Sequence, residues 1–158
     1  MALPYSEQDL ALFRDNPLGS HTTLDDIREN FDFLDDWESR YSYVIDLGKQ
    51  APRIPEAHRT DDHLVHGCQS QVWFIYHLDA GKGTLQVLVD SDAVIVRGLA
   101  AVVMTAFNNQ PLAHIARFDM EALFAELDLV RHLSPTRGNG LRAMVKRIQA
   151  TAAALLPA

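Results

Sequence analysis

Apolar positions divide the chain into helical and strand-like stretches. Leu24, Ile27, Phe31, Leu34, Tyr41, Val44 and Ile45 recur in steps near three or four, which predicts one amphipathic helix or two abutting ones. Thr22-Thr23-Leu24-Asp25-Asp26 supplies its N-cap and acidic first turn, and Gly48 reads as the glycine just past its end. Ala51-Pro52-Arg53-Ile54-Pro55 is a loop, because each proline disfavours helix in the residue before it. Val72 to Leu78 is then rich in β-branched and aromatic residues, and Thr84 to Val89 repeats the pattern after the turn Ala80-Gly81-Lys82-Gly83. Together they predict a hairpin with a four-residue loop, and Leu64 to Gly67 is the candidate third, short strand. Ala93 to Phe107 is apolar almost all round, so a helix there, capped by Ser91, belongs at the centre of the molecule.

The remainder is helical. Pro111 starts a short helix and Asp119 caps another through Leu127. A last helix from about Gly138 to Leu156 carries Leu141, Met144, Val145, Ile148, Ala152 and Leu155 on one stripe. Residues 1–21, with Pro4, Pro17 and Gly19, form a partly ordered lead-in with one short helix around Ser6 to Phe13. Helix, strands, then helices predict one α+β domain over residues 1–158. A small antiparallel sheet of about three strands has helices packed mainly on one face. No internal repeat or low-complexity segment interrupts it.

Composition narrows the function. At 158 residues, 47% hydrophobic and 22% charged, the chain is an ordinary soluble globular protein, and its net charge of −7 argues against phosphate-backbone binding. The charge is uneven: residues 1–62 carry fourteen Asp/Glu against six Lys/Arg, and residues 63–158 carry seven against eight. The acidic half is either a solvated surface or an electrostatic docking face. The start, Met1 to Glu7, lacks the basic and apolar segments of a secretory signal, and no apolar run approaches a membrane span, so a cytoplasmic location is expected.

A single cysteine, Cys68, cannot form an internal disulfide or, alone, a Cys-rich metal centre. It lies in His66-Gly67-Cys68-Gln69-Ser70-Gln71, a polar loop before the first clear strand, where a thiol is accessible and Gly67 permits a sharp bend. Asp62, His63, His66 and Cys68 are suitable zinc ligands by type, yet their spacing matches no established site, and no metal is expected. Gly81-Lys82-Gly83 lacks the Ser or Thr of a phosphate loop and reads as a turn. Asp90 and Asp92 flank a helix start, where capping accounts for them. Trp73 and its aromatic neighbours read as core.

Gly67-Cys68-Gln69-Ser70-Gln71-Val72-Trp73 resembles the cysteine motif of the SufE family of sulfur acceptors. Two further blocks are similar to that family: Asp90-Ser91-Asp92-Ala93-Val94-Ile95-Val96-Arg97-Gly98-Leu99, and His132-Leu133-Ser134-Pro135-Thr136-Arg137 with Asn139-Gly140-Leu141. Phe33 to Tyr41 is similar as well, and the resemblance spans residues 22–156. It implies a fold related to NifU/IscU-type scaffolds, although one cysteine is too few to hold a cluster. It further implies that Cys68 accepts sulfane sulfur as a persulfide from a pyridoxal-phosphate-dependent cysteine desulfurase of the SufS or CsdA type. The sulfur then passes to a downstream acceptor for iron–sulfur cluster assembly. The pyridoxal phosphate belongs to that partner, so this chain needs no cofactor and acts as an accessory protein, not as an enzyme. By family pattern Arg137 and Asp92 lie near the cysteine loop; Arg137 either favours thiolate or persulfide anion or anchors the turn from Ser134 to Asn139. Two alternatives stay open: a regulatory module that binds the desulfurase without carrying sulfur, and a thiol hydrolase using Cys68 with His66.

Overall fold

The computed structural model describes residues 4–157. Its first helix, α1 (Glu7–Asp15), opens with a capping box in which Ser6 and Asp9 satisfy each other's backbone N–H groups. The amphipathic stretch that follows is two helices, α2 (Leu24–Phe33) and α3 (Trp37–Gly48). The break falls where Asp36 turns its carboxylate onto the Ser39 N–H and starts a new helix. Gly48 is the last residue inside α3, not a left-handed residue beyond it. Its role is contact: a Cβ there would come within 2.8 Å of the Gly98 nitrogen, so two glycines let α3 lie directly on the central helix.

Strands β1 (Val72–Asp79) and β2 (Thr84–Ser91) form the expected hairpin, with Val72 opposite Ser91 and Asp79 opposite Thr84. The third strand is not at 64–67, where Leu64 makes a single bridge to Trp73. It is β3 (Gln110–Pro111), two residues paired with Thr84 and Leu85 on the other edge. Pro111 has no N–H to donate, which suits an edge position. Helix α4 (Val94–Phe107) is buried continuously from Gly98 to Phe107, as its all-round apolarity requires. Ser91 does not cap it; its hydroxyl donates to the Gln71 carbonyl at 2.7 Å and accepts from the Ala93 N–H at 3.2 Å, fixing the turn that leads into the helix.

Short helices α5 (Leu112–Arg117) and α6 (Met120–Leu127) lead to α7 (Pro135–Leu155). This last helix starts three residues earlier than Gly138, because Ser134 caps it and Pro135 occupies the first turn, where a missing N–H costs nothing. The inner face of the sheet (Val72, Phe74, Leu85, Val87 and Val89) joins α4 and α7 in the main core. The outer face (Trp73, Ile75 and Leu88) is covered by Phe13 from α1 and Ile54 from the proline loop. Coverage on both faces explains why β1 begins as a continuous apolar run instead of an alternating one.

Candidate thiol site

Cys68 sits just before β1. Gly67 turns the chain into position with φ of 95°, a conformation that side chains disfavour. The thiol is half-buried and is the one cysteine of the chain. Its Sγ has one weak polar contact, 3.5 Å to the Gly140 carbonyl of α7. A Cβ on Gly140 would stand 3.5 Å from that sulfur, so the missing side chain keeps space open beside it.

That space is a cavity of about 100 Å³ between the cysteine loop, the start of α4 and the start of α7. Ile95, Val96, Leu99, Leu141 and Met144 give it apolar walls, and Thr136 and Arg137 supply a polar side. A volume of about 10–15 Å³ suffices for one water, so an extra atom on Sγ fits without displacing protein. Burial, acting alone, pushes the Cys68 thiol above its usual value of 9.0, so at neutral pH the resting group is protonated.

Arg137 and Cys68 therefore line one cavity. Asp92 does not: it is exposed, with its backbone N–H directed to the Gln71 carbonyl at 3.4 Å, and so neighbours the loop only through main chain. His66 is exposed and outside the cavity lining. Among the described residues no group of three or more His, Cys, Asp or Glu side chains is placed to hold a metal ion. No helix among them is long and apolar enough to cross a membrane.

Asp90 does something that helix-start capping fails to describe. It is 1% exposed and accepts from Arg53 Nε, Arg59, the Ile54 N–H and the Ser91 N–H at 2.8–3.0 Å, with Arg97 Nε at 3.3 Å. Arg59 also lies 5.2 Å from the centroid of the Trp73 ring. This carboxylate ties the proline loop and α4 to the end of β2, opposite Trp73 and beside the point where the cysteine loop runs into β1. Neither it nor Gly140 stands out as a site residue in the sequence; the partners of Asp90 come from positions 53, 59 and 97, a spacing without a local signature.

Fold and site define a small α+β protein that holds a single thiol in an apolar recess. The chain belongs to the SufE family, whose model, described as an Fe-S metabolism associated domain, matches residues 25–152. A SufE-like protein of Rhizobium meliloti (strain 1021) is 47% identical over 139 residues, covering 87% of this chain and 99% of its own. Another from Rhizobium etli is 47% identical over 129 residues, covering 80% of this chain and 87% of its own. Both are named as uncharacterized SufE-like proteins. The solution structure of a hypothetical protein from Thermus thermophilus superposes with a TM-score of 0.65 at 19% identity, over 80% of this chain and 90% of that one, a likeness of fold.

Proposed function

We propose that this protein is a sulfur acceptor: it takes sulfane sulfur from a pyridoxal-phosphate-dependent cysteine desulfurase as a persulfide on Cys68, stimulates that enzyme, and passes the sulfur on for iron–sulfur cluster assembly. The observation that carries the reading is the unfilled volume beside Cys68 Sγ, walled by apolar side chains and left open by Gly140. A persulfide is reactive, and a half-buried recess with apolar walls shields it between donor and acceptor.

The step is an analogue of thiol–disulfide exchange. The Cys68 thiolate attacks the terminal sulfur of the partner's cysteine persulfide. A new S–S bond forms on Cys68, the partner's S–S bond breaks, and the partner cysteine leaves as a thiolate that takes up the proton Cys68 gave away. No external oxidant or reductant is consumed. The chain supplies one thiol per transfer and no cofactor, as befits an accessory protein that works beside its enzyme in the cytoplasm.

The raised pKa of the resting thiol sets a condition on this chemistry. Movement of the loop from Gly67 to Gln71 on docking would relieve that burial, exposing Sγ further and easing its ionisation. Incubation with a cysteine desulfurase and L-cysteine tests the proposal: Cys68 gains one sulfur, and Cys68→Ser gains none. The regulatory-module alternative rests on the acidic first 62 residues. Equal stimulation by wild type and Cys68→Ser selects it.

A further inference from the structure

Helix α3 presents Trp37 and Tyr41 one turn apart on the same face, and both meet the turn between α6 and α7. The Trp37 indole stacks on the His132 imidazole with ring centroids 4.0 Å apart and planes inclined by 21°. The Arg40 guanidinium lies 5.1 Å from the centroid of the same indole and is itself held by the Phe31 and Leu34 carbonyls. The Tyr41 hydroxyl donates to the His132 carbonyl. His132 Nε2 stands 3.3 Å from Asp128 Oδ2, and Arg131 reaches the same carboxylate at 3.6 Å. Asp128 is the residue that reverses the chain after α6, with φ of 54°. His132 is thus gripped by ring, edge and backbone at once.

Packing alone does not account for that grip. Val130 and Leu133 already anchor the turn by packing on the main core, whereas the His132 side chain remains one-third exposed. What the turn carries next is the cavity wall. Ser134 caps α7, and Thr136 and Arg137 follow in its first turn, facing the space beside Cys68. The positive charge of Arg137 is felt at the Tyr41 hydroxyl, where it opposes the upward push of burial, so the Trp37–Tyr41 face and the cavity wall are in direct electrostatic reach.

We infer that Trp37 and His132 are positioning residues for sulfur transfer: their stack fixes where Thr136 and Arg137 stand beside Cys68, and with that the access to the thiol and its geometry after docking. Neither residue touches the sulfur. Both act through the start of α7. The part of this inference that concerns transfer rests on the sulfur-acceptor reading, whereas the part that concerns access to Cys68 does not.

The experiment measures two rates on the full chain. First, iodoacetamide alkylation of Cys68 is followed at one pH for wild type, Trp37→Leu, His132→Ala, the ring-conserving Trp37→Phe, and Leu85→Ala as a packing control. Loss of the stack accelerates alkylation about tenfold, whereas Trp37→Phe stays within about twofold of wild type. Leu85→Ala, a core truncation at the far end of the hairpin from Cys68, compared at equal distance below its melting temperature, lacks the acceleration. Second, sulfur uptake from a cysteine desulfurase is measured against desulfurase concentration. The saturating rate falls about tenfold in Trp37→Leu and His132→Ala with the half-saturating concentration little changed, and Trp37→Phe restores it. Unchanged alkylation or unchanged saturating uptake in the folded variants overturns the inference, as does equal acceleration by Leu85→Ala. A wild type that takes up no sulfur at all sinks the sulfur-acceptor reading instead, while the alkylation result still decides whether the stack positions the cavity wall.

Discussion

Asp90 and Cys68 flank the same end of the β1–β2 hairpin, one closing β2 and the other just ahead of β1, and they are built in opposite ways. Asp90 is fully buried and surrounded by three arginines and two backbone N–H groups. Cys68 is half-buried, faces apolar walls, and has one long contact to a carbonyl. A charge saturated with donors is fixed and unavailable. A thiol left nearly without partners, beside unfilled space, is free to change its covalent state. The rigid site holds the frame from which the uncommitted one works.

The largest expected effect comes from breaking the saturated side. Asp90→Ala removes the shared partner of Arg53, Arg59 and Arg97, leaving three cations crowded together, and lowers stability by about 3 kcal/mol in urea denaturation. Sulfur uptake then falls as the cysteine loop loses its anchored neighbour. Next comes the open side. Gly140→Ala raises stability by up to about 1 kcal/mol through helix propensity. The same Cβ, 3.5 Å from Sγ, takes space that a second sulfur needs, so persulfide yield drops while the fold gains. A fold and a function moving in opposite directions sharpens the contrast.

Removing one rim partner does little. The Arg53 side chain is half exposed, so Arg53→Ala costs only about 0.5 kcal/mol and leaves uptake near wild type. The smallest effect is on pH dependence. Burial raises the Cys68 pKa, so the folded protein holds that proton more tightly than the unfolded chain does. The resulting stabilisation is complete below the thiol's ordinary value and is lost as pH rises through the raised one. Wild-type stability therefore drifts downward in alkaline solution relative to Cys68→Ser, a difference that paired denaturation curves read directly.

Much of the frame is legible in the sequence because its signals are local. The β-branched run at 72–78, the turn at 80–83 and the helix apolar all round from 93 predict the hairpin and its covering helix. What is not legible depends on residues far apart. The two-residue edge strand at Gln110–Pro111 has no period to detect. Gly48 takes its meaning from Gly98, on a helix that the sequence alone does not place against it. Asp90 resembles a helix-start carboxylate until the loop brings Arg53 and Arg59 onto it. At the site, Cys68 is visible as a lone thiol after a glycine, and Arg137 enters through family resemblance. The geometry places both on one cavity, leaves Asp92 and His66 outside it, and adds Gly140, whose significance is the absence of a side chain beside sulfur.

The central claim is that the space beside Cys68 holds a transferred sulfur. Mass spectrometry of the Cys68 peptide, after incubation with a cysteine desulfurase and L-cysteine and without reductant, tests it most directly. The account predicts one added sulfur on Cys68, none on Cys68→Ser, and greater desulfurase turnover with wild type alone. Stimulated turnover with no adduct on Cys68, or equal stimulation by Cys68→Ser, would contradict it.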